Sequence, residues 1–560
     1  MNQPTPAIVA QSAVRRLPRL ALLLLCAAYV LPGFIGREPW KAADMMAFGY
    51  MFELAQGTAA WLAPTLVGHP PEFEALLPYW LGAWAIRLAP SWVPADVAVR
   101  FPFAGLLALT LASTWRAIYH LARRPQAQPV AFAFGGEADP RDYARALADA
   151  GLLALIASLG LAQLSHETTP ALAQLGFTAL TFYALAALPG PMLWPGLAAL
   201  AGLVGLALSG APTLALLFGV GGALLLLLRD GEWRREISPR QRLLAIGVVV
   251  AAVVIAGALA SGLDVWRWRL VESLRDERAK VRLLLWFTWP AWPLALWTVW
   301  RWRHRLGSRH VALPLWLAGV CVVAALASTN SDRSLLLGLP PLAALAAFAL
   351  PTLQRSVAAL IDWFTLLFFS GCALVIWVVW ISLQTGVPAK PAANVARLAP
   401  GFEPSFSLLA FAVALAGTLA WAGLVRWRAG RHRAALWKSL VLPAGGATLC
   451  WLLLMTLWLP VLDYARSYVP VVRGLVRAID RPGCVEVAGL TRGQMAALRF
   501  HGQLHLREAG AGAACPWRIP PANMPASQRR ALGMDRWVLV STVRRPTDAN
   551  DNMRLYRARR

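Results

Sequence analysis

The chain has 560 residues, 58% hydrophobic and only 14% charged, with a mean hydropathy of +0.54, which excludes an ordinary soluble multidomain protein, where about a quarter of residues are charged. A formal net charge of +25 would suggest a nucleic-acid partner on a soluble chain. Here the arginines sit in short clusters between apolar runs, the pattern of cytoplasmic loops, so nucleic acid is excluded as the partner.

A bilayer core about 30 Å thick takes roughly 20 helical residues to cross, and apolar runs of that kind recur from Leu20 to Leu459. They are apolar on every face rather than alternating, so helices and not a β-barrel do the spanning. Arg15, Arg16 and Arg19 precede the first run, with no clean small-x-small cleavage site after it; a retained first helix at 18–36 is expected, running outward. Residues 37–97 read as an outer loop with two interfacial helices, 41–56 and 74–90, broken by Pro70, Pro71 and Pro78.

Orienting each run by its Lys/Arg flanks gives further spans at 98–121, 146–164, 170–188, 193–209, 213–229, 243–262, 284–301, 311–328, 335–352, 358–383, 406–425 and 435–459. That makes about thirteen crossings, with the N-terminus cytoplasmic and residues 461–560 outside. The stretch Asp264–Arg282 breaks the charge rule, because it is assigned outside yet carries Arg267, Arg269, Arg275, Arg278, Lys280 and Arg282. It reads either as an amphipathic helix resting on anionic headgroups or as a basic rim for a lipid phosphate.

Residues 461–560 differ in kind from the first 460. Short β-like runs (Val485–Leu490, Gln503–Arg507, Trp537–Val543, Met553–Arg557) alternate with helical stretches, and Thr491 with Gln494 forms a capping-box pattern. The fold class expected is an all-α polytopic membrane domain followed by a small extracytoplasmic α/β domain. Cys484 and Cys515 lie in that polar region, where an oxidising compartment favours a disulfide. Cys26, Cys321, Cys372 and Cys450 fall in apolar runs and read as small hydrophobes. No CxxC or HExxH spacing marks a dedicated metal site.

Ionisable groups are rare at the outer face, so each is a candidate. Asp44 opens the first interfacial helix, where a carboxylate could act as a general base, hold a divalent cation or simply satisfy helix amides. His166 and Glu167 share a very short second outer loop, His69 sits in the first, and Asp332 with Arg333 flank a later corner.

The text Trp40-Lys41-Ala42-Ala43-Asp44 through Phe48-Gly49, then Trp61-Leu62-Ala63-Pro64, Pro70-Pro71 and Pro78-Tyr79-Trp80, resembles in order the first loop of bacterial GT-C glycosyltransferases of the lipid A aminoarabinose transferase and protein-mannosyltransferase-like family. Ser328–Pro341 resembles that family's late outer loop. The resemblance implies a polyprenyl-phosphate-linked sugar donor and a lipid or other envelope acceptor at the periplasmic face of the bacterial inner membrane. Asp44 would be the catalytic carboxylate, and Arg333 with Arg267 and Arg269 would hold the leaving phosphate. The chain departs from the pattern at Ala43, where an acidic residue is common, and at His69, where a lysine commonly precedes the Pro-Pro pair. Two other functions fit the layout: a non-catalytic polyprenyl-phosphate-binding envelope protein, and a transporter or flippase. The last is disfavoured because neither internal repeats nor paired broken helices are legible.

Overall fold

The computed structural model describes residues 5–559 apart from 73, 228–237, 267–276, 329–330, 430–434, 481–482, 511–514 and 546. The helices run α1 (Arg19–Val30), α2 (Ala43–Gln56), α3 (Leu77–Leu88), α4 (Ala95–Ala122), α5 (Pro140–Ala157), α6 (Leu161–Leu164), α7 (Pro170–Ala187), α8 (Leu193–Leu208), α9 (Pro212–Leu227) and α10 (Pro239–Gly262). Next come α11 (Glu277–Phe287), α12 (Ala291–Arg301), α13 (Arg309–Ala327), α14 (Ser331–Ala349), α15 (Arg355–Thr385), α16 (Ala389–Leu398), α17 (Leu408–Ala429), α18 (Lys438–Leu454), α19 (Leu459–Arg466) and α20 (Val469–Ala478). The two interfacial helices expected at 41–56 and 74–90 correspond to α2 and α3.

All thirteen stretches expected to span contain helix, but fewer have the dimensions of a full crossing. Among the described residues, seven helices are long and apolar enough by themselves, or eight if the bent pair Lys438–Leu454 and Leu459–Arg466 is one span. Helices α1, α8 and α9 are apolar but shorter. The protein is a polytopic membrane protein; a figure of thirteen crossings is not reached by length and composition.

Burial sorts the helices into layers. The apolar windows of α7 and α14 are each 83% buried within the protein, whereas those of α15 and α17 are 22% and 11% buried. Apolar side chains such as Leu360, Leu367 and Leu409 stand exposed on the latter pair, as lipid-facing residues must, because helices apolar all round need no aqueous face. Proline opens several helices, including α5, α7 and α10, where its missing amide is not needed.

Two expected spans, 146–164 and 284–301, are broken rather than continuous. The first splits into α5 and α6 around Ser158–Gly160, the second into α11 and α12 around Thr288–Pro290. The breaks lie against each other. Leu159 N donates to Trp289 O at 3.0 Å and Gly160 N to Phe287 O at 2.9 Å, so each unwound turn satisfies backbone groups of the other away from water. A Cβ on Gly160 would fall 2.3 Å from the Phe287 ring, so only glycine allows this approach.

The C-terminal unit contains a five-stranded sheet of β1 (Cys484–Val487), β2 (His505–Glu508), β3 (Trp517–Ile519), β4 (Trp537–Val543) and β5 (Met553–Ala558), in the order β2-β1-β3-β5-β4. Strand β1 runs parallel to β2 and β3, while β5 pairs antiparallel with β3 and β4. Helix α21 (Arg492–Phe500) crosses between β1 and β2, and a short α22 (Ala526–Ala531) precedes β4. The Thr491/Gln494 capping box forms. Four strands follow the expected runs; β3, only three residues long, carries too little alternation to be seen in the sequence. Arg518 on β3 is fully buried, with its Nε 2.8 Å from the Glu486 carboxylate and its guanidinium 4.3 Å above the Trp537 ring. A disulfide joins Cys484 to Cys515 across 31 residues of sequence.

Candidate functional site

The sheet unit docks on the first long loop. Gly49 of α2 meets Ala496 of α21 so closely that a Cβ at 49 would lie 2.5 Å from the Ala496 Cβ. Ion pairs ring this contact: Arg499 Nε to Glu53 at 2.7 Å, Arg492 Nη1 to Glu72 at 3.1 Å, and Lys41 Nζ to Asp548 and, at 3.1 Å, to Asp551.

Beside it lies a cavity of about 440 Å³ with walls from four parts of the chain. Lys41, Ala42, Ala43, Met46 and Glu72 come from the first loop, Gln163 and Leu164 from α6 with Glu167 from the turn after it, Asp332 and Arg333 from the start of α14, and Thr491, Arg492 and Gly493 from the start of α21. Three of the expected site residues therefore meet there: Glu167, Asp332 and Arg333. The Asp332 carboxylate accepts from the Arg333 amide at 2.9 Å within the first turn of α14, where a negative charge is favoured.

Glu167 is 6% exposed and accepts from Gln163 Nε2 at 3.1 Å. Burial, and then the neighbouring Asp44 carboxylate, push its carboxyl up to about 7, against the opposing pull of Gln163, Arg37 and Arg333. A carboxyl poised near neutrality can both take and give a proton.

Asp44 lies behind this wall, 2% exposed. Its Oδ2 accepts from Arg37 Nη2 at 2.8 Å and from Trp40 N at 3.2 Å; its Oδ1 accepts from Thr168 N at 2.8 Å and Thr168 Oγ1 at 2.6 Å. All four acceptor positions are filled. In this arrangement Asp44 has no lone pair left for an acceptor proton or a divalent cation, and it ties the first loop to the α6–α7 turn. Among the described residues no three His, Cys, Asp or Glu side chains converge as metal ligands.

The remaining expected residues are placed elsewhere. His166 is fully buried and packs among Tyr29, Phe34 and Trp451, with ring centroids 5.4, 5.1 and 4.7 Å away. Its Nε2 is 3.0 Å from the Tyr29 carbonyl, and burial lowers its basicity to about 4. It fills the core between α1 and α18 and is not among the cavity residues. His69 lies 3.6 Å from Glu508 of β2 and is not among the cavity residues. Arg267 and Arg269 lie outside the described residues. Sequence reasoning overlooked Arg37 and Arg492. Arg37 carried a signal, being a charge at the end of an apolar run; Arg492 carried none, because only docking of the sheet unit brings it to the cavity.

A helical membrane body, a first loop with two helices lying beside it, and a small sheet unit seated over that loop define a GT-C-type membrane fold. Solved structures share it over nearly the whole chain. The crystal structure of ArnT from Cupriavidus metallidurans in the apo state superposes with a TM-score of 0.60 at 14% identity, covering 97% of this chain and 98% of that one. The structure of the same protein bound to undecaprenyl phosphate also gives 0.60 at 14% identity, over 96% and 97%. No protein-family model matches the sequence, and no curated protein matches it significantly.

Proposed function

We propose that this chain is a membrane glycosyltransferase that moves a sugar from a polyprenyl-phosphate donor to a lipid or other envelope acceptor. Its site would face the periplasm, with the N-terminus in the cytoplasm and the sheet unit outside the inner membrane. The observation that carries this reading is the buried Glu167, with its carboxyl near neutrality, in the same cavity as Arg333. A base and a cation in one recess are what transfer from a phosphate leaving group requires. The likeness to a protein solved with undecaprenyl phosphate adds support.

In this mechanism the acceptor hydroxyl or amine passes its proton to Glu167 while its lone pair attacks the anomeric carbon. The carbon–oxygen bond to phosphate breaks, its electron pair leaves with the phosphate, and the configuration inverts. Arg333 stabilises the charge that develops on the departing phosphate. Asp44 acts as a positioning residue, holding the turn that presents Glu167. This moves the catalytic role from Asp44, favoured by the sequence, to the carboxylate that lines the cavity.

A non-catalytic polyprenyl-phosphate binder would use the same recess, and one assay separates the two. Purified protein is incubated with polyprenyl-phosphate sugars and lipid acceptors, and Glu167→Gln is compared with the parent. Transfer by the parent and a loss of about 100-fold or more in the variant is expected for a general base. Full turnover by Glu167→Gln removes Glu167 from the chemistry, and phosphate-lipid binding without transfer favours the binder.

A further inference from the structure

The sheet unit is more than a cover. One wall of the cavity belongs to it, at Thr491, Arg492 and Gly493. We propose that Arg492 is a substrate-binding residue that grips the phosphate of the lipid-linked substrate, so that the site is complete only when the sheet unit is docked. This deepens the transferase reading and rests on it for the nature of the ligand.

Three observations support the assignment. First, Arg492 is held at a fixed place. It is the first residue of α21, preceded by the Thr491 cap, and the helix is pinned by the Gly49–Ala496 approach, by Gln494 Nε2 to Asp551 at 3.1 Å and by the Arg499–Glu53 pair. Second, its guanidinium reaches across to the first loop, donating from Nε to Pro70 O at 2.9 Å and from Nη1 to Glu72 at 3.1 Å. A cation from the sheet unit thus stands directly on the Pro70-Pro71 segment, whose own basic candidate, His69, pairs instead with Glu508. Third, its carboxylate partner faces solvent: the Glu72 side chain is 51% exposed, and ion pairs in water contribute little. A phosphate offers the guanidinium a bidentate contact of higher charge, so Glu72 is readily exchanged for it.

Binding of undecaprenyl phosphate, and separately of undecaprenol, to the full-length protein in nanodiscs tests this. Wild type, Arg492→Glu, Arg492→Lys and Glu72→Gln are compared, each first checked for an unchanged melting temperature. Arg492→Glu should weaken undecaprenyl phosphate binding about tenfold or more, as expected for loss of a charged hydrogen bond. It should leave undecaprenol binding unchanged, and Arg492→Lys should recover part of the loss. Glu72→Gln should tighten phosphate-lipid binding, because it removes the competing carboxylate. Equal phosphate-lipid affinity in wild type and Arg492→Glu overturns the role of Arg492 and leaves the transferase reading standing. An equal loss for undecaprenol also overturns it, since the effect would then not be on phosphate. Failure of wild type to bind undecaprenyl phosphate at all overturns both.

Discussion

Asp44 provides the sharpest test, because the sequence and the structure assign it different work. Its carboxylate and the Arg37 guanidinium are both almost fully buried, with side-chain exposures of 2% and 1%. Removing the carboxylate strands a buried cation and takes the acceptor from Trp40 N and from both donors of Thr168. Breaking a buried ion pair from one side costs about 3–5 kcal/mol, and each orphaned amide adds about 1–3 kcal/mol before relaxation. Asp44→Ala should therefore destabilise by about 4 kcal/mol or more. Asp44→Asn should be nearly as harmful, because its NH₂ must face either Arg37 and Trp40 N or the two donors of Thr168. Replacing both members with apolar residues, as in Arg37→Met with Asp44→Leu, should restore much of the loss, since the stranded charge disappears. Thermal unfolding in detergent, followed by tryptophan fluorescence across the double-mutant cycle, measures the coupling. An Asp44→Asn protein that melts like wild type yet transfers no sugar would refute this reasoning and return Asp44 to the chemistry.

Glu167 should impose opposite pH trends on activity and stability. Its carboxyl is raised from the ordinary value of 4.5 to about 7, so the native state binds more protons than the unfolded chain in that window and stability falls as pH rises through it. Transfer should rise over the same range as the base ionises, and Glu167→Gln should flatten both curves in melting and rate profiles. Opening the disulfide with Cys484→Ser and Cys515→Ser should cost the sheet unit about 3–4 kcal/mol for a loop of 31 residues, seen as faster limited proteolysis after residue 480. Gly49→Leu should push α21 off α2 and expose the same region to protease, with loss of transfer. A cysteine at the exposed position Gln528 should react with an impermeant maleimide on intact spheroplasts; protection there would reverse the proposed topology.

Much of the architecture was legible because membranes impose simple rules. Long runs apolar on all faces had to be helices, and arginine clusters located the breaks between them. The two loop helices and four of the five strands followed from local pattern as well. What escaped were features that depend on contacts distant in sequence. The interruptions at 158–160 and 288–290 are satisfied by each other, and no local breaker at Ser158 or Leu159 announces the first of them. Asp44 looked reactive because it is an acid at a helix start beside an apolar run; only the positions of Arg37 and Thr168, 7 residues before it and 124 after, reveal that its oxygens are occupied. Arg492 is invisible from sequence for the same reason, since nothing local brings residue 492 to Pro70.

The paired helix breaks carry a consequence for how such a molecule changes over time. The α5–α6 break, which leads into the turn carrying Glu167, is joined to the α11–α12 break through main-chain groups, at Leu159–Trp289 and Gly160–Phe287. A tether made of peptide groups asks almost nothing of the side chains around it, apart from the bare position at Gly160. The residues lining the recess are thereby released to drift, exchanging one acid or base for another while the scaffold beneath keeps its shape. That is one route by which a fold can be shared at 14% identity while the lining of its recess changes.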